Sequence, residues 1–262
     1  MIDTLADLFE APLRLSALAD AKWQAVVETV PEHLEVYAFL LCKPGDPLVV
    51  VDLDLPRQVV SGGLCTVRAR DVVGAGARAA RSRLVVAGSV HRHPFGGCAL
   101  SGTDRDLLEG MACELASELA LPVRVTRRVQ DLMVRPDQSA DPEPPTGSLQ
   151  SGVYAAERAE IEETVIASRV YCLAWGPRTG YGGAAANVLY DPLTEDARRE
   201  YRYLSEVIVD EASSDVERAQ RKMRRLARRL VKPRFPLYKT FPRESDDDEE
   251  QRENRRSLAS TG

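Results

Sequence analysis

Two histidines and an aspartate near the middle of the chain carry side chains that could bind a metal ion. His91 and His93 are two of only three histidines among 262 residues, and Asp104 follows them after a short loop. Residues i and i+2 of a β-strand point to the same side, so the two imidazoles would face together where a strand ends. Two imidazoles and one carboxylate suit zinc, and three protein ligands leave the fourth position open for water, as in catalytic zinc sites.

The residues around this group favour the same arrangement. Leu84–Val90 is a short continuous apolar run, typical of a strand buried on both faces, and Pro94 follows soon after it. Ser101 stands at the predicted N-cap of the next helix, so the first turn of that helix can bring the Asp104 carboxylate back toward the strand end. The spacing of Ser101 and Asp104 is equally typical of an ordinary capping box, so the pattern by itself leaves both interpretations open.

The segment His91–Asp104 resembles the JAMM motif of the JAB/MPN zinc metalloproteases, written H-x-H-P-x6-S-x2-D. That family also places a glutamate just before an apolar strand. Glu35, followed by Val-Tyr-Ala-Phe-Leu-Leu, matches this element, although Ala38 stands where glycine is frequent. Glu32 is an alternative that lies further from the strand. The resemblance covers roughly residues 19–134.

The resemblance implies a role for each of these side chains and a fold. His91, His93 and Asp104 would bind zinc, Glu35 would be the general acid/base, and Ser101 would hold or polarise groups at the oxyanion. The implied fold class is α/β (α+β), with an MPN/JAMM-like central mixed β-sheet flanked by helices and a C-terminal extension. No covalent intermediate is needed, so the five cysteines need no catalytic role. Cys98 in the motif loop is expected to pack, with contact to the metal as the alternative.

The resemblance also implies an activity. Proteins of this family are mostly isopeptidases that cut the bond after the terminal glycine of ubiquitin or a ubiquitin-like protein. A compact chain of this kind resembles bacterial peptidases that accompany ubiquitin-like conjugation enzymes, some of them in antiviral defence operons. The expected partners are a ubiquitin-like protein or its conjugates, with the associated activating and conjugating enzymes. Precursor trimming, a non-catalytic MPN scaffold and a nucleic-acid-binding module stay open as alternatives.

Patterning along the chain predicts four regions. Residues 1–134 form the JAMM/MPN-like core, and residues 135–150, rich in proline and acidic residues, form a flexible insertion or linker. Residues 151–232 form a β/α extension that completes the fold, and residues 233–262 form a disordered acidic tail. Residues 201–210 fit either a strand or a helix.

A basic helix is predicted from Ser214 to Val231. Its apolar side chains recur at alternating spacings of three and four, so one stripe should pack on the core. The opposite side is strongly cationic and could bind an acidic partner or a phosphate backbone, or could simply be solvated. Its basic residues are Arg218, Arg221, Lys222, Arg224, Arg225, Arg228 and Arg229.

Composition limits the classes of protein. The net charge is −5, and residues 244–262 hold seven acids against three bases, so the remainder is nearly neutral, which argues against a whole-protein nucleic-acid binder. The five cysteines are scattered without a C-x-x-C pair, which argues against a disulfide framework or structural zinc cluster. No apolar stretch is long enough for a membrane helix, and the acidic first residues do not resemble a signal peptide, so we expect a cytoplasmic protein.

Overall fold

A mixed sheet of nine strands forms the centre of the fold, with five helices packed against it in the part of the chain described here. The computed structural model describes residues 2–94, 97–134, 154–191, 196–211 and 216–234. The helices are α1 (Leu5–Phe9), α2 (Ala17–Thr29), α3 (Ala69–Arg81), α4 (Gly102–Leu115) and α5 (Val216–Leu230). The predicted α/β class, a mixed sheet flanked by helices, is confirmed.

The strands vary from three residues to twenty-three. They are β1 (Leu13–Leu15), β2 (Val36–Lys43), β3 (Asp46–Asp54), β4 (Gln58–Val60), β5 (Cys65–Val67), β6 (Val85–Arg92), β7 (Leu121–Val134), β8 (Tyr154–Gly176), β9 (Gly180–Asp191), β10 (Asp196–Tyr203), β11 (Val207–Val209) and β12 (Val231–Pro233). The main sheet has the order β10-β9-β8-β6-β2-β3-β1-β11, with β7 paired to β8, and β12-β4-β5 form a second sheet.

Strand β6 lies in the middle of the main sheet, as its continuous apolar run predicts. It pairs antiparallel with β2 on one side and parallel with β8 on the other. Six consecutive residues from Ala87 to Arg92 are buried. Because β8 and β9 come from the predicted C-terminal extension, that part of the chain contributes the strand beside β6 and the strand that follows it in the sheet. Strand β6 contains His91 and ends one residue before His93.

Helix α2 forms where its apolar spacing predicts it. Its predicted apolar face, Trp23, Val26, Val27 and Val30, is buried in the main core. The side chain of Ser16 caps the helix by accepting a hydrogen bond from the amide of Ala19. The helix ends before Pro31, and helix α5 packs along it on the same side of the sheet.

Some expectations needed the structure to decide them. Residues 201–210, which fitted a strand or a helix, contain the end of β10 and all of β11, because β10 pairs with β9 and β11 pairs with β1. The insertion at 135–150, the proposed N-cap of α5 at Ser213 or Ser214, and the tail after Arg234 lie outside the described residues. Among the helices described, none combines the length and apolarity required to cross a bilayer.

A glycine in β6 fixes how closely β6 and β8 approach. Gly88 has φ +148° and pairs with Tyr171 across the parallel ladder, beside an irregularity in the β2–β6 pairing. A Cβ at position 88 would lie 2.0 Å from the Tyr171 carbonyl oxygen. No side chain fits there, since both the backbone conformation and the space require glycine.

We expect Gly88→Ala to lower the free energy of unfolding by about 3 kcal/mol or more, because it adds backbone strain and a clash with Tyr171. Gly76→Ala in α3 is the matched control. A Cβ there meets nothing within 4 Å, so it should leave stability unchanged or raise it by up to about 1 kcal/mol. Urea unfolding followed by circular dichroism measures both, and equal stability of the two variants would contradict the proposed close approach.

Candidate metal centre

The alternation of side chains along β2 and β6 determines which residues face the candidate metal site. Tyr37 pairs with His91 in the antiparallel ladder, so these two side chains lie on one face of the sheet. His93 follows His91 at the i+2 position and lies on that same face. Glu35 immediately precedes β2, with its amide donating to the Ser61 carbonyl (2.9 Å), and continues this face beyond Tyr37.

Three potential ligand atoms converge at the end of β6. The Nε2 atoms of His91 and His93 are 2.8 Å apart. The Asp104 Oδ1 lies 3.2 Å from the His91 Nε2, and its Oδ2 lies 3.3 Å from the His93 Nε2. Metal–ligand bonds of about 2.0–2.2 Å in a tetrahedral site place ligand atoms about 3.3–3.6 Å apart, so only small adjustments separate these atoms from such a site. The group could hold a metal ion.

Asp104 serves the capping box and the ligand group at the same time. Its Oδ2 accepts hydrogen bonds from the Ser101 amide and the Ser101 hydroxyl, both at 2.7 Å. The Asp104 amide donates back to the Ser101 Oγ at 3.3 Å, which completes the capping box of α4. The two interpretations of the Ser101–Asp104 spacing are therefore compatible, because the cap fixes the carboxylate against the histidines.

The charges of His91 and Asp104 are strongly coupled. Burial alone would lower the pKa of His91, but the hydrogen bond to Asp104 and the neighbouring Cys172 outweigh it and raise this pKa to about 9. Burial opposes ionisation of Asp104, yet His91 and the Ser101 hydrogen bonds hold its pKa well below the usual range. The His91 Nδ1 is buried and has no hydrogen bond of ordinary geometry among the described residues.

Glu35 is half-buried and lines the same cleft as the three candidate ligands, without belonging to their converging group. Burial raises the pKa of its carboxyl, while the charges of His91 and His93 oppose this effect. A carboxylate with a raised pKa beside a metal site is suited to accept and return a proton near neutral pH. Glu32, the alternative, is exposed and does not line the cleft.

The cleft has a volume of about 570 Å³. The β4–β5 turn forms one wall, and the start of α4 forms another. Leu64 from the first wall and Leu107 from the second are 45% and 37% exposed, so both offer apolar surface to a ligand. Gly62 and Gly63 lie beside Leu64 and line this wall without side chains.

The residue between the two histidines, Arg92, points to the opposite face of the sheet and is 2% exposed. Its Nε and Nη2 donate to the Leu34 carbonyl (3.2 and 2.7 Å), and Nη2 also donates to the Pro31 carbonyl (2.5 Å). Its Nη1 donates to the carbonyls of Val27 (2.8 Å) and Val30 (3.1 Å), at the C-terminal end of α2. All five guanidinium N–H groups are thus used.

Arg92 ties the strand that bears the histidines to the segment that leads into Glu35. A cation is favoured at the C-terminus of a helix, where carbonyl groups lack intrahelical partners. Sequence analysis did not identify this residue, which lies two positions beyond the predicted buried run Leu84–Val90. The available signal was its place between His91 and His93, which puts its side chain on the opposite face of the strand.

Two other predicted residues have clear positions. The Ser101 hydroxyl donates to Asp104, so in this structure its hydrogen does not point to a substrate site. Cys98 is outside the ligand group and packs against β9, where a Cβ on Gly182 would lie 2.9 Å from the Cys98 Sγ.

No protein-family model matches the chain, and no curated protein matches its sequence. The site is therefore assigned from its own geometry and from the spacing of its residues.

We expect Arg92→Met to lower the free energy of unfolding by about 3 kcal/mol or more, because it leaves four carbonyls, three of them on buried residues, without this donor. The free energy of unfolding of Arg92→Lys should lie between those of the wild type and Arg92→Met, since lysine keeps the charge but has three donors on one nitrogen. Arg14→Met is the control, as Arg14 is half-exposed and forms a surface ion pair with Asp210 that is worth less than about 1 kcal/mol. Similar unfolding midpoints in urea for Arg92→Met and Arg14→Met would contradict the role of Arg92.

Metal affinity should depend steeply on pH. His91 must lose its proton to bind a metal, so we expect the apparent affinity to rise about tenfold per pH unit up to a pH of about 9 and then to level off. In the metal-free protein, folding stability changes with pH in the opposite direction to metal affinity. The raised pKa of His91 stabilises the fold fully below pH 6.5, and this contribution is lost as the pH rises through about 9.

Competition with a chromophoric chelator measures this affinity across the pH range. His33→Gln is the control, because His33 is exposed and outside the ligand group, and it should leave the profile unchanged. An affinity that is constant between pH 6.5 and 8 would contradict either the raised pKa of His91 or its role as a ligand.

Proposed function

We propose that the chain is a zinc-dependent isopeptidase that hydrolyses the bond after the terminal glycine of a ubiquitin-like modifier. The observation that carries the proposal is the convergence of His91, His93 and Asp104 in a cleft that also holds the half-buried Glu35. A scaffold protein would need none of these four groups together. The nature of the substrate rests on the resemblance of residues 91–104 to the JAMM motif.

The donor set fits zinc, since two imidazoles and a carboxylate leave room for a further ligand. When bound, zinc would lower the pKa of a water molecule and polarise the scissile carbonyl. Glu35 then accepts a proton from the attacking water and passes it to the leaving lysine amine. Its raised pKa suits both steps, because it can hold the proton between them.

The amide and the hydroxyl of Ser101 both donate hydrogen bonds to Asp104 and hold its carboxylate in place. The hydroxyl can stabilise an oxyanion only after it turns away from the Asp104 Oδ2, so we assign Ser101 mainly to the positioning of that ligand. The apolar surfaces of Leu64 and Leu107 suit aliphatic side chains of an extended modifier tail. Gly62 and Gly63 line the cleft without side chains, which lets the backbone of the modifier tail approach closely.

We further propose that this reaction takes place in the cytoplasm on conjugates of the modifier or on its precursor. Activating and conjugating enzymes of the same pathway are the expected partners.

Glu35→Gln should reduce cleavage at least about a hundredfold, because the amide cannot accept and return the proton. Zinc binding should stay intact, because residue 35 is not one of the proposed ligands. Cleavage is measured on a fusion of a ubiquitin-like protein to a lysine-linked fluorophore, and zinc by elemental analysis. Glu32→Gln is the matched control and should retain full activity.

Two outcomes would contradict parts of this proposal. Full activity in Glu35→Gln with loss in Glu32→Gln would move the base to Glu32. Purified protein that binds no zinc despite intact His91 and His93 would exclude a zinc enzyme.

A further inference from the structure

A second cleft, distinct from the metal centre, lies between α3 and α5. Its volume is about 500 Å³. It is lined by the end of β3, by the C-terminal part of α3 and by one side of α5. It reaches Leu41 on β2, which is six residues after Glu35, so about 20 Å of extended strand separates it from the candidate base.

The rim of this cleft has more positive charge than its own acids neutralise. Six cations and three aspartates line it: Lys22, Arg57, Arg78, Arg81, Lys222 and Arg229, with Asp52, Asp54 and Asp71. Lys22 pairs with Asp52, and Arg78 forms a two-bond pair with Asp54.

Four of these cations have no ion pair with any described residue: Arg57, Arg81, Lys222 and Arg229. All four are exposed. The excess is local, because the chain as a whole has a net charge of −5.

The floor of the cleft is apolar. Leu53, Leu55 and Met223 are buried beneath it, and Leu226 and Leu230 are partly exposed at its side. None of the described residues that line it is aromatic, so they offer no surface on which unpaired bases would stack. A duplex backbone would use the cations but would present nothing apolar to the floor.

We infer that this cleft binds an acidic peptide segment of a partner protein, with carboxylates on the four unpaired cations and aliphatic side chains against the leucines. Arginine favours this ligand, because its planar guanidinium forms paired hydrogen bonds with a carboxylate. The cleft is remote from Glu35, so the segment is an anchor and does not enter the reaction. This inference does not depend on the proposed isopeptidase activity.

The test measures binding of a short fluorescein-labelled peptide, in which glutamates alternate with leucines, by fluorescence anisotropy with the full chain. We expect saturable binding that Arg81→Gln combined with Arg229→Gln weakens at least about tenfold. The matched control combines Arg218→Gln with Arg225→Gln. It removes the same charge from exposed positions of α5 that do not line the cleft, and should weaken binding less than about twofold.

Competitors separate the possible occupants. Replacing the leucines of the peptide by serines should weaken its competition, and replacing the glutamates by glutamines should abolish it. No binding of the labelled peptide, or equal weakening by both double variants, would overturn the inference. Stronger displacement by a short DNA duplex would assign the surface to nucleic acid. Stronger displacement by a peptide copy of residues 244–253 would assign it to the acidic segment of this chain, and either result would also overturn the inference.

Discussion

The buried guanidinium of Arg92 is the interaction on which the site most depends. Successive residues of a strand point to opposite faces, so one short segment places His91 and His93 in the cleft and Arg92 beneath α2. The same arginine binds carbonyls of the turn that precedes Glu35. The strand with two ligands and the segment with the candidate base are thereby fixed to one another by five hydrogen bonds rather than by contacts within the cleft.

Asp104 shows how local helix chemistry can contribute to a metal centre. Its carboxylate forms the cap of α4 through Ser101 and also approaches both imidazoles. The cap orients the carboxylate before any metal arrives, so less conformational entropy is lost when a metal binds. The cost is that the Ser101 hydroxyl is already engaged, which limits what else it can do in the cleft.

The sequence predicted those parts of the fold and site that depend on short-range patterns. The apolar spacing of α2, the continuous run of β6 and the spacing of His91, His93 and Asp104 are all local, and the structure agrees with each. Strands β1 and β12 have only three residues and form through pairing with distant strands, so no local pattern identifies them. The acceptors of Arg92 likewise lie about sixty positions earlier in the chain, where periodicity gives no information.

The position of β6 between β2 and β8 has a consequence for the order of folding. Strand β8 is paired in parallel with β6, but it begins only at Tyr154, after α4, β7 and the connection that follows them. Such non-local pairing is slow, because the entropy of closing a long loop is lost before the contacts form. On the ribosome, β6 would therefore wait with one edge unpaired until Gly176 has emerged. Until then, the unpaired backbone groups of that edge could pair with another chain, which favours aggregation during synthesis.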